Sequence, residues 1–523
     1  MTMNEKSPVN EPSSALGFEP EEPKRQGDRL RNRDRLLSLK YSTIEACFSV
    51  PMLNLTLPNF PFVVAFAAKV LGWQAGSVGL MAALPHICNC LQPLLLSGLS
   101  RRFSSYQLLI LTFALGALPW GLAAFLPVMG NTRDAMFACM LLLGTFASSL
   151  ASVAWSAAIS ELVPERLGGR YFARRNLIFG AWTLIAVMVA GQVVQWNGNS
   201  MMAFASIFCL AGISRMLGLF FLSRMKFPSA VTEPRPRGIA LPDLISVLKD
   251  FNYSRLCLFI GLWGLLLNAA TPFYTMYLVD RLDLGIGTVV KLTTVASLGG
   301  LITLKAWGRL TDRFGSRPVL QVAALIWSVT ALVMWSLARP SWVWHLFIGY
   351  FIIGAMTAGF QLAQFNLMIR LAPAELRPAY VAVFLALTSL FTAIGPILGG
   401  FFLKMVPLQL GNFLGQPILN YHFLFLLCAL GCMLAANLIQ RVHEPAEQPL
   451  VNVWREMKRM RAFNPMMSLL AGGELLLTSR GLVALAQRSL RSVRQQVKAL
   501  EGVGQEIVST SREVLTKPLS KKR

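Results

Sequence analysis

Twelve long apolar stretches recur along this chain and limit what it can become. A bilayer core of ~30 Å is crossed by about 20 apolar residues of helix, at roughly 1.5 Å each. Stretches of that length fall near 44–68, 75–96, 106–129, 134–162, 177–196 and 201–223. Six more fall near 256–279, 287–307, 318–338, 342–368, 380–404 and 419–440. The 523 residues are 54% hydrophobic and 14% charged, without the polar periodicity that gives soluble domains a wet face. The expected fold is all-α and membrane-integral, with twelve transmembrane helices as two six-helix halves. A basic tail (1–40) precedes the first bundle (41–223), and a Pro-rich linker (224–255) joins it to the second (256–441). A second basic tail, 442–523, follows.

The formal net charge of +23 raises the question of a nucleic-acid partner, and the placement of the charge answers it in the negative. With the N-terminus inside, 41 of the 48 Lys and Arg fall on cytoplasmic segments. Six lie outside (Lys69, Arg133, Arg281, Lys291, Arg339 and Lys404), and Arg215 lies within a span. This is the positive-inside asymmetry. It places both termini in the cytoplasm of a bacterial-type inner membrane. Residues 1–40 are polar and end in a basic run from Arg29 to Lys40, so the first span is expected to serve as an uncleaved anchor.

No catalytic, metal or cofactor set is expected. The eight cysteines lie in or beside spans as small apolar fillers. Cys88 and Cys90 stand two apart, about 200° round a helix, and cannot converge with His86 on one ion. The four His show no ligand spacing. A phosphate-cradling glycine loop ending in Lys-Ser/Thr is also missing, which argues against ATP-driven transport.

The two sets of six repeat each other. At an offset of 211 they share Pro61/Pro272, Phe62/Phe273, Leu71/Leu282, Gly76/Gly287, Leu99/Leu310, Arg102/Arg313, Phe103/Phe314, Ser105/Ser316 and Leu109/Leu320. At an offset of 209, Pro164-Glu165-Arg166-Leu167 with Tyr171 meets Pro373-Ala374-Glu375-Leu376 with Tyr380. Between the eighth and ninth spans stands Gly308-Arg309-Leu310-Thr311-Asp312-Arg313-Phe314-Gly315-Ser316-Arg317, a charged turn of the form G-x-L-x-D-R-x-G-x-R.

That turn, with the repeat, resembles the major facilitator superfamily of transporters over roughly residues 41–441. The resemblance implies two parallel six-span halves with a solute between them near the midplane. It also implies a gating motif of Gly308, Asp312, Arg313, Gly315, Arg317 and, in the first half, Arg102. Asp312 would pair with Arg and with a helix N-terminus of the opposite half, holding the cytoplasmic face closed. The first copy, Gly98 to Phe103, has Arg101 where the acid belongs. Gly395-Pro396-Ile397-Leu398-Gly399-Gly400 resembles a family glycine-proline string that drug–proton antiporters carry in the fifth span. Here it lies in the eleventh and is expected to bend that helix at the interface of the halves. Pro164 to Asn176 resembles the loop of a broad bacterial group.

Polar side chains inside spans are costly in lipid and mark a pathway. On the tenth span Thr357, Gln361, Gln364 and Met368 share a face, and Ser148, Ser152 and Trp155 stand at the equivalent positions of the fourth. The faces suit a hydroxylated or amphipathic solute, although helix–helix hydrogen bonding accounts equally for Ser and Gln in a bundle. Further candidates for the cavity are Asn59, His86, Arg215 and Asn268. Glu45 is a candidate for a coupling proton, with a solvated carboxylate at the interface as its rival. Arg215 is a candidate partner for Glu45 or for an anionic group.

In the tail, Val483, Ala486, Leu490, Val493, Val497, Leu500 and Ile507 follow a heptad spacing broken by Gly504, with Arg488, Arg491, Arg494 and Lys498 around them. An amphipathic helix on anionic lipid is expected. Two to three heptads are too few to specify an oligomer. The function expected is secondary transport of a small solute by alternating access, coupled to a proton or sodium ion. The alternatives are a sensor or scaffold on the same fold and a drug or metabolite efflux pump.

Overall fold

The computed structural model describes residues 32–99, 103–163, 165–227, 246–338, 343–373, 376–413, 416–445 and 448–463. Arg102 and the expected tail helix lie outside them. The first crossing is α1 (Asn32–Leu55) with α2 (Pro61–Ala65). Then come α3 (Ala75–Leu99), α4 (Ser105–Gly121), α5 (Arg133–Leu162), α6 (Glu165–Trp196) and α7 (Met201–Ser223). The second half runs through α8 (Phe251–Met276), α9 (Ile286–Phe314), α10 (Ser316–Ser336), α11 (Trp344–Leu371), α12 (Arg377–Met405) and α13 (Asn420–Leu438). Among the described residues ten helices are long and apolar enough to cross a membrane. The broken α1–α2 pair and α3 complete twelve crossings. The face that holds the α9–α10 turn and the end of α7 is the terminal face; the opposite one is the distal face.

The exterior is apolar by design of the sequence. Leu111, Leu115, Leu118 and Leu122 form one stripe and are each 40–52% exposed. In water such a stripe would drive association, whereas against lipid it is at rest. The interior is aromatic: Phe66, Phe137, Phe208 and Trp120 interlock in the first half, and Tyr274, Trp335 and Phe425 in the second.

The first crossing breaks between Leu55 and Pro61, where Pro58 cannot donate and Pro61 opens α2. Two helices start earlier than their apolar stretches. α1 starts at Asn32 and α6 at Glu165, so Pro164 to Asn176, expected as a loop, is helical from its second residue. Hydropathy marks where a helix enters lipid and is blind to a polar extension beyond it. The bundle is also not wholly helical. A hairpin of β1 (Gln409–Phe413) and β2 (Gln416–Leu419) caps the distal face between α12 and α13. Asn420 anchors it, its amide donating to Leu403 O (3.2 Å) and Val406 O (3.0 Å).

The halves meet along two seams, α3 on α12 and α6 on α9. Both depend on small residues. A methyl at Gly79 would collide with the Pro396 carbonyl, and one at Gly400 would lie 2.6 Å from Ala75 O. On the second seam a methyl at Gly191 would lie 2.8 Å from Val290, and Gly285 and Gly287 accommodate Gln195. The Gly395–Gly400 string therefore packs backbone against backbone, with Gly395 and Gly399 on α8 and Gly400 on α3. Gly400→Val should force the first seam apart at about 1–3 kcal/mol, the usual cost of overpacking. A lowered melting temperature in detergent checks this, and an unchanged one would mean that the seam is loose.

Candidate transport pathway and gating turn

The gating turn forms because Gly315 adopts φ +92°, a conformation that other residues resist, so that α9 can stop at Phe314 and α10 start at Ser316. Its charges are held from below. The buried carboxylate of Glu444 accepts the backbone N–H groups of Ser316 (3.0 Å) and Arg317 (2.7 Å) and pairs with Arg370 (3.0 Å). An anion at the first turn of α10 is where the helix dipole favours one. Arg317 also donates to Val442 O at 3.1 Å. Past it, α14 (Leu450–Arg459) lies under the second half: Glu456 pairs with Arg313 (3.3 Å) and Gln448 N–H bonds Phe314 O (3.0 Å). Phe463 closes the segment edge-on against buried Trp307. Asp312 is exposed and has no ion pair among the described residues. The expected contact of Asp312 with the opposite half is not made among the described residues. Gly308 has open space around it and does not serve a close approach.

Glu444 escaped the sequence reading, although a signal existed. Glu444-Pro445 stands 211 residues after Glu233-Pro234, the offset of the repeat itself. Glu456 carried no such signal.

Polar contacts between the halves cluster on the distal face. Lys69 Nζ reaches Val279 O (3.4 Å) and the Asp283 carboxylate, and Asn199 Oδ1 accepts the Ile286 N–H at 3.4 Å. Nearer the middle, the half-buried His86 of α3 comes within hydrogen-bonding reach of Asn268 of α8. His86 Nε2 is buried without a partner among the described residues, as is Asn59 Oδ1 at the break of the first crossing. The Asn268 amide donates to Gly264 O at 2.9 Å.

Inside the first half the structure assembles an ionic cluster. Glu45 is 1% exposed, so the solvated alternative for it is excluded. Its carboxylate accepts from Ser49 Oγ and lies 3.6 Å from Arg175, while Arg215 donates to Ser49 Oγ at 2.7 Å. Two guanidiniums thus face one carboxylate. Each is also stacked on a ring, Arg175 on Trp155 at 4.3 Å and Arg215 on Phe113 at 3.3 Å. Such stacking contributes about 2 kcal/mol where water is excluded. Trp155 is therefore a platform for Arg175, a residue that the sequence reading did not single out.

The fourth and tenth spans, equivalent by the repeat, differ in their hydrogen bonds. On α5, Ser152 Oγ donates to Ser149 O (2.7 Å) and takes a bond from Gln92 of α3 (3.3 Å), and Ser149 Oγ donates to Asn89 Oδ1 (2.8 Å). That face is occupied by helix–helix bonding. On α11, Gln361 and Gln364 line a cavity of about 210 Å3 with Thr357, Trp263, Trp327 and Phe360. The cavity hydroxyls are satisfied within their own helices: Thr357 bonds Ile353 O (2.8 Å) and Thr392 bonds Thr388 O (2.7 Å). The two amides bond to nothing among the described residues. Glu444→Gln, which keeps the volume and removes the charge that Arg370 and the α10 N-terminus share, should cost about 1.5–3 kcal/mol. Thermal melting in detergent reads this directly, with Glu444→Asp as the partial rescue.

Similar proteins share this architecture. A family-wide sequence model described as Major Facilitator Superfamily matches residues 46–305 and 286–487. The solved nucleoside transporter NupG, as its D323A mutant, is 16% identical, covers 79% of this chain and 100% of its own, and superposes with a TM-score of 0.61. A bacterial homologue of the lysosomal transporter Spinster, inward-facing and unoccupied, is 12% identical over 80% of this chain and 100% of its own, with a TM-score of 0.58. A bacterial homologue of the iron transporter ferroportin, also inward-facing, is 16% identical over 79% and 99%, with a TM-score of 0.57. No curated protein matches the sequence. With the family pattern spanning both halves of the sequence and the twelve-helix bundle behind it, the chain belongs to the Major Facilitator Superfamily of membrane transporters.

Proposed function

We propose that this chain is an ion-coupled secondary transporter that moves a small, uncharged, hydrogen-bonding solute by alternating access between its halves. The carrying observation is the pair of unpartnered amides, Gln361 and Gln364, in a cavity whose lining has no charged side chain. An amide offers both donors and an acceptor, so two of them read a solute by direction. A charge would find no counter-ion there, and the surrounding Trp263, Trp327 and Phe360 suit a ring. A nucleoside, the solute named for one of the similar structures, combines a ring with hydroxyls in this way.

The excess of Lys and Arg supports a cytoplasmic terminal face in a bacterial-type inner membrane. On that orientation, the glycine seams and the Lys69 contacts on the distal face support an inward-open state. Asp312, without an ion pair among the described residues, agrees with it as a latch that closes in the opposite state. Ion coupling is assigned to Glu45, with a proton as the ion. Its carboxylate can pair with Arg175 or carry a proton, and the two exclude each other. Arg175 sits on α6, the helix that packs on α1 within its half and on α9 across the seam. Movement of the seam therefore reaches the carboxylate through a single helix.

In a thermal stabilisation screen of purified protein, uncharged ring-bearing solutes with hydroxyls should raise the melting temperature, and organic acids should not. Gln361→Ala with Gln364→Ala should weaken that effect about tenfold or more, from two hydrogen bonds at about 0.5–1.5 kcal/mol each. Stabilisation by acids alone would overturn the solute reading.

Glu45→Gln should abolish uphill accumulation in proteoliposomes while solute counterflow continues, because exchange needs no net proton movement. It should also lower stability by about 3–5 kcal/mol, as Arg175 loses its ion pair and the buried Arg215 a nearby counter-charge. Uphill accumulation that persists in this variant would remove Glu45 from coupling.

A further inference from the structure

The distal ends of the first and seventh spans are built alike. Each ends in a π-helical turn, Phe66–Val70 after α2 and Tyr277–Arg281 after α8, and these turns stand 211 residues apart. Each turn is closed by the same wide backbone bonds. Leu71 N–H bonds Phe66 O (3.0 Å) and Trp73 N–H bonds Ala67 O (2.8 Å). In the second half Leu282 N–H bonds Tyr277 O (3.1 Å) and Leu284 N–H bonds Leu278 O (2.9 Å). Each reverses through a left-handed residue at the same repeat position, Gly72 at φ +69° and Asp283 at φ +50°. Isolated π turns inside helices gather at functional sites. A matched pair, packed on each other across the seam of the halves, is a device repeated in both halves of this chain rather than an accident of one loop.

The two copies differ where they touch. In both copies the wide bond passes over one carbonyl, and in the second that carbonyl, Val279 O, is taken by Lys69 Nζ at 3.4 Å. Where the first half has Gly72, the second has Asp283, and its carboxylate meets the same ammonium. An Asp tolerates the left-handed conformation better than most residues. Here the position also brings a charge to the seam. The second acid of the turn, Asp280, is paired with its neighbour Arg281 at 3.1 Å, which leaves Asp283 for Lys69.

We propose that Lys69, gripping Val279 O and Asp283 across the seam, is the latch that holds the distal face shut, and that the paired π turns are the elements that must part when this face opens. The proposal rests on the alternating-access reading. The hydrogen bond and charge of Lys69 hold the Asp283 carboxyl below the ordinary carboxylate range, so the pair stays ionised at neutral pH. Both side chains are partly in water, at 37% and 85% exposed, so the latch is a weak one that a transport cycle can break.

The test is the distance between the halves at the distal face. Spin labels at Asn131→Cys and Gly411→Cys, with the exposed Cys139 changed to Ser, report inward-open and outward-open populations by pulsed electron resonance in proteoliposomes. Asp283→Gly is the decisive variant, since Gly accepts the left-handed backbone and only the carboxylate is lost. It should raise the ratio of long to short distances about two- to fivefold, the range that an exposed ion pair carries. Lys69→Gln should do at least as much, and the double variant no more than Lys69→Gln alone. Both populations present with an unmoved ratio, or single effects that simply multiply in the double variant, would overturn the latch and leave alternating access standing. One distance throughout, in every variant and with every solute, would overturn both.

Discussion

Close approach along two seams, backbone on backbone between α3 and α12 and side chain on glycine between α6 and α9, is the constraint on which the rest depends. In lipid there is no hydrophobic drive to bring helices together, so association rests on close packing and on polar contacts. Gly79, Gly191, Gly287 and Gly400 supply the packing. These residues lie towards the distal face, which is the closed one on the proposed reading. The same approach brings Lys69 to Val279 and His86 to Asn268, since neither pair could meet across a wider seam.

At the terminal face the second half is braced internally. Glu444 ties the start of α10 to Arg370 of α11, and α14 covers the ends of α9 and α10 through Glu456 and Phe463. These contacts all stay within one half. They brace the turn from Gly308 to Arg317, on which Asp312 is exposed. If Asp312 is the latch proposed above, such bracing favours it, because a carboxylate on a flexible loop would lose more entropy on each closure than a braced one.

Much of this was legible in the sequence, for identifiable reasons. Apolar length located the twelve crossings, because the bilayer sets the length of each. The turn at Gly315 was legible because only glycine fits its backbone. What escaped were features that depend on partners distant in sequence. Arg175 looks like one of several basic residues in Pro164 to Asn176, and only the fold puts it on Trp155 and beside Glu45. Glu45 itself could not be told from a solvated carboxylate, since burial is a property of α1 packed on α6 and α7. The π turns were invisible because their residues are ordinary helix formers. Gln361 and Ser152 were equivalent by the repeat, and hydrogen bonds alone separate them.

That separation points to a division of labour between the halves. The repeat begins them as equals, with polar faces at matching places on α5 and α11. In the first half the polar groups on α3 and α5 bond one another, and the charges gather between α1, α6 and α7. In the second half the amides are left free and the cavity holds no charge. A solute binding to the second half alone would bias neither state, because a ligand shifts a two-state equilibrium only through contacts that differ between the states. The difference has to come from the first half, whose ionic cluster is linked to the moving seam through α6. On the proposed function, solute recognition on one side and charge management on the other, joined by that seam, would let one equilibrium answer to both.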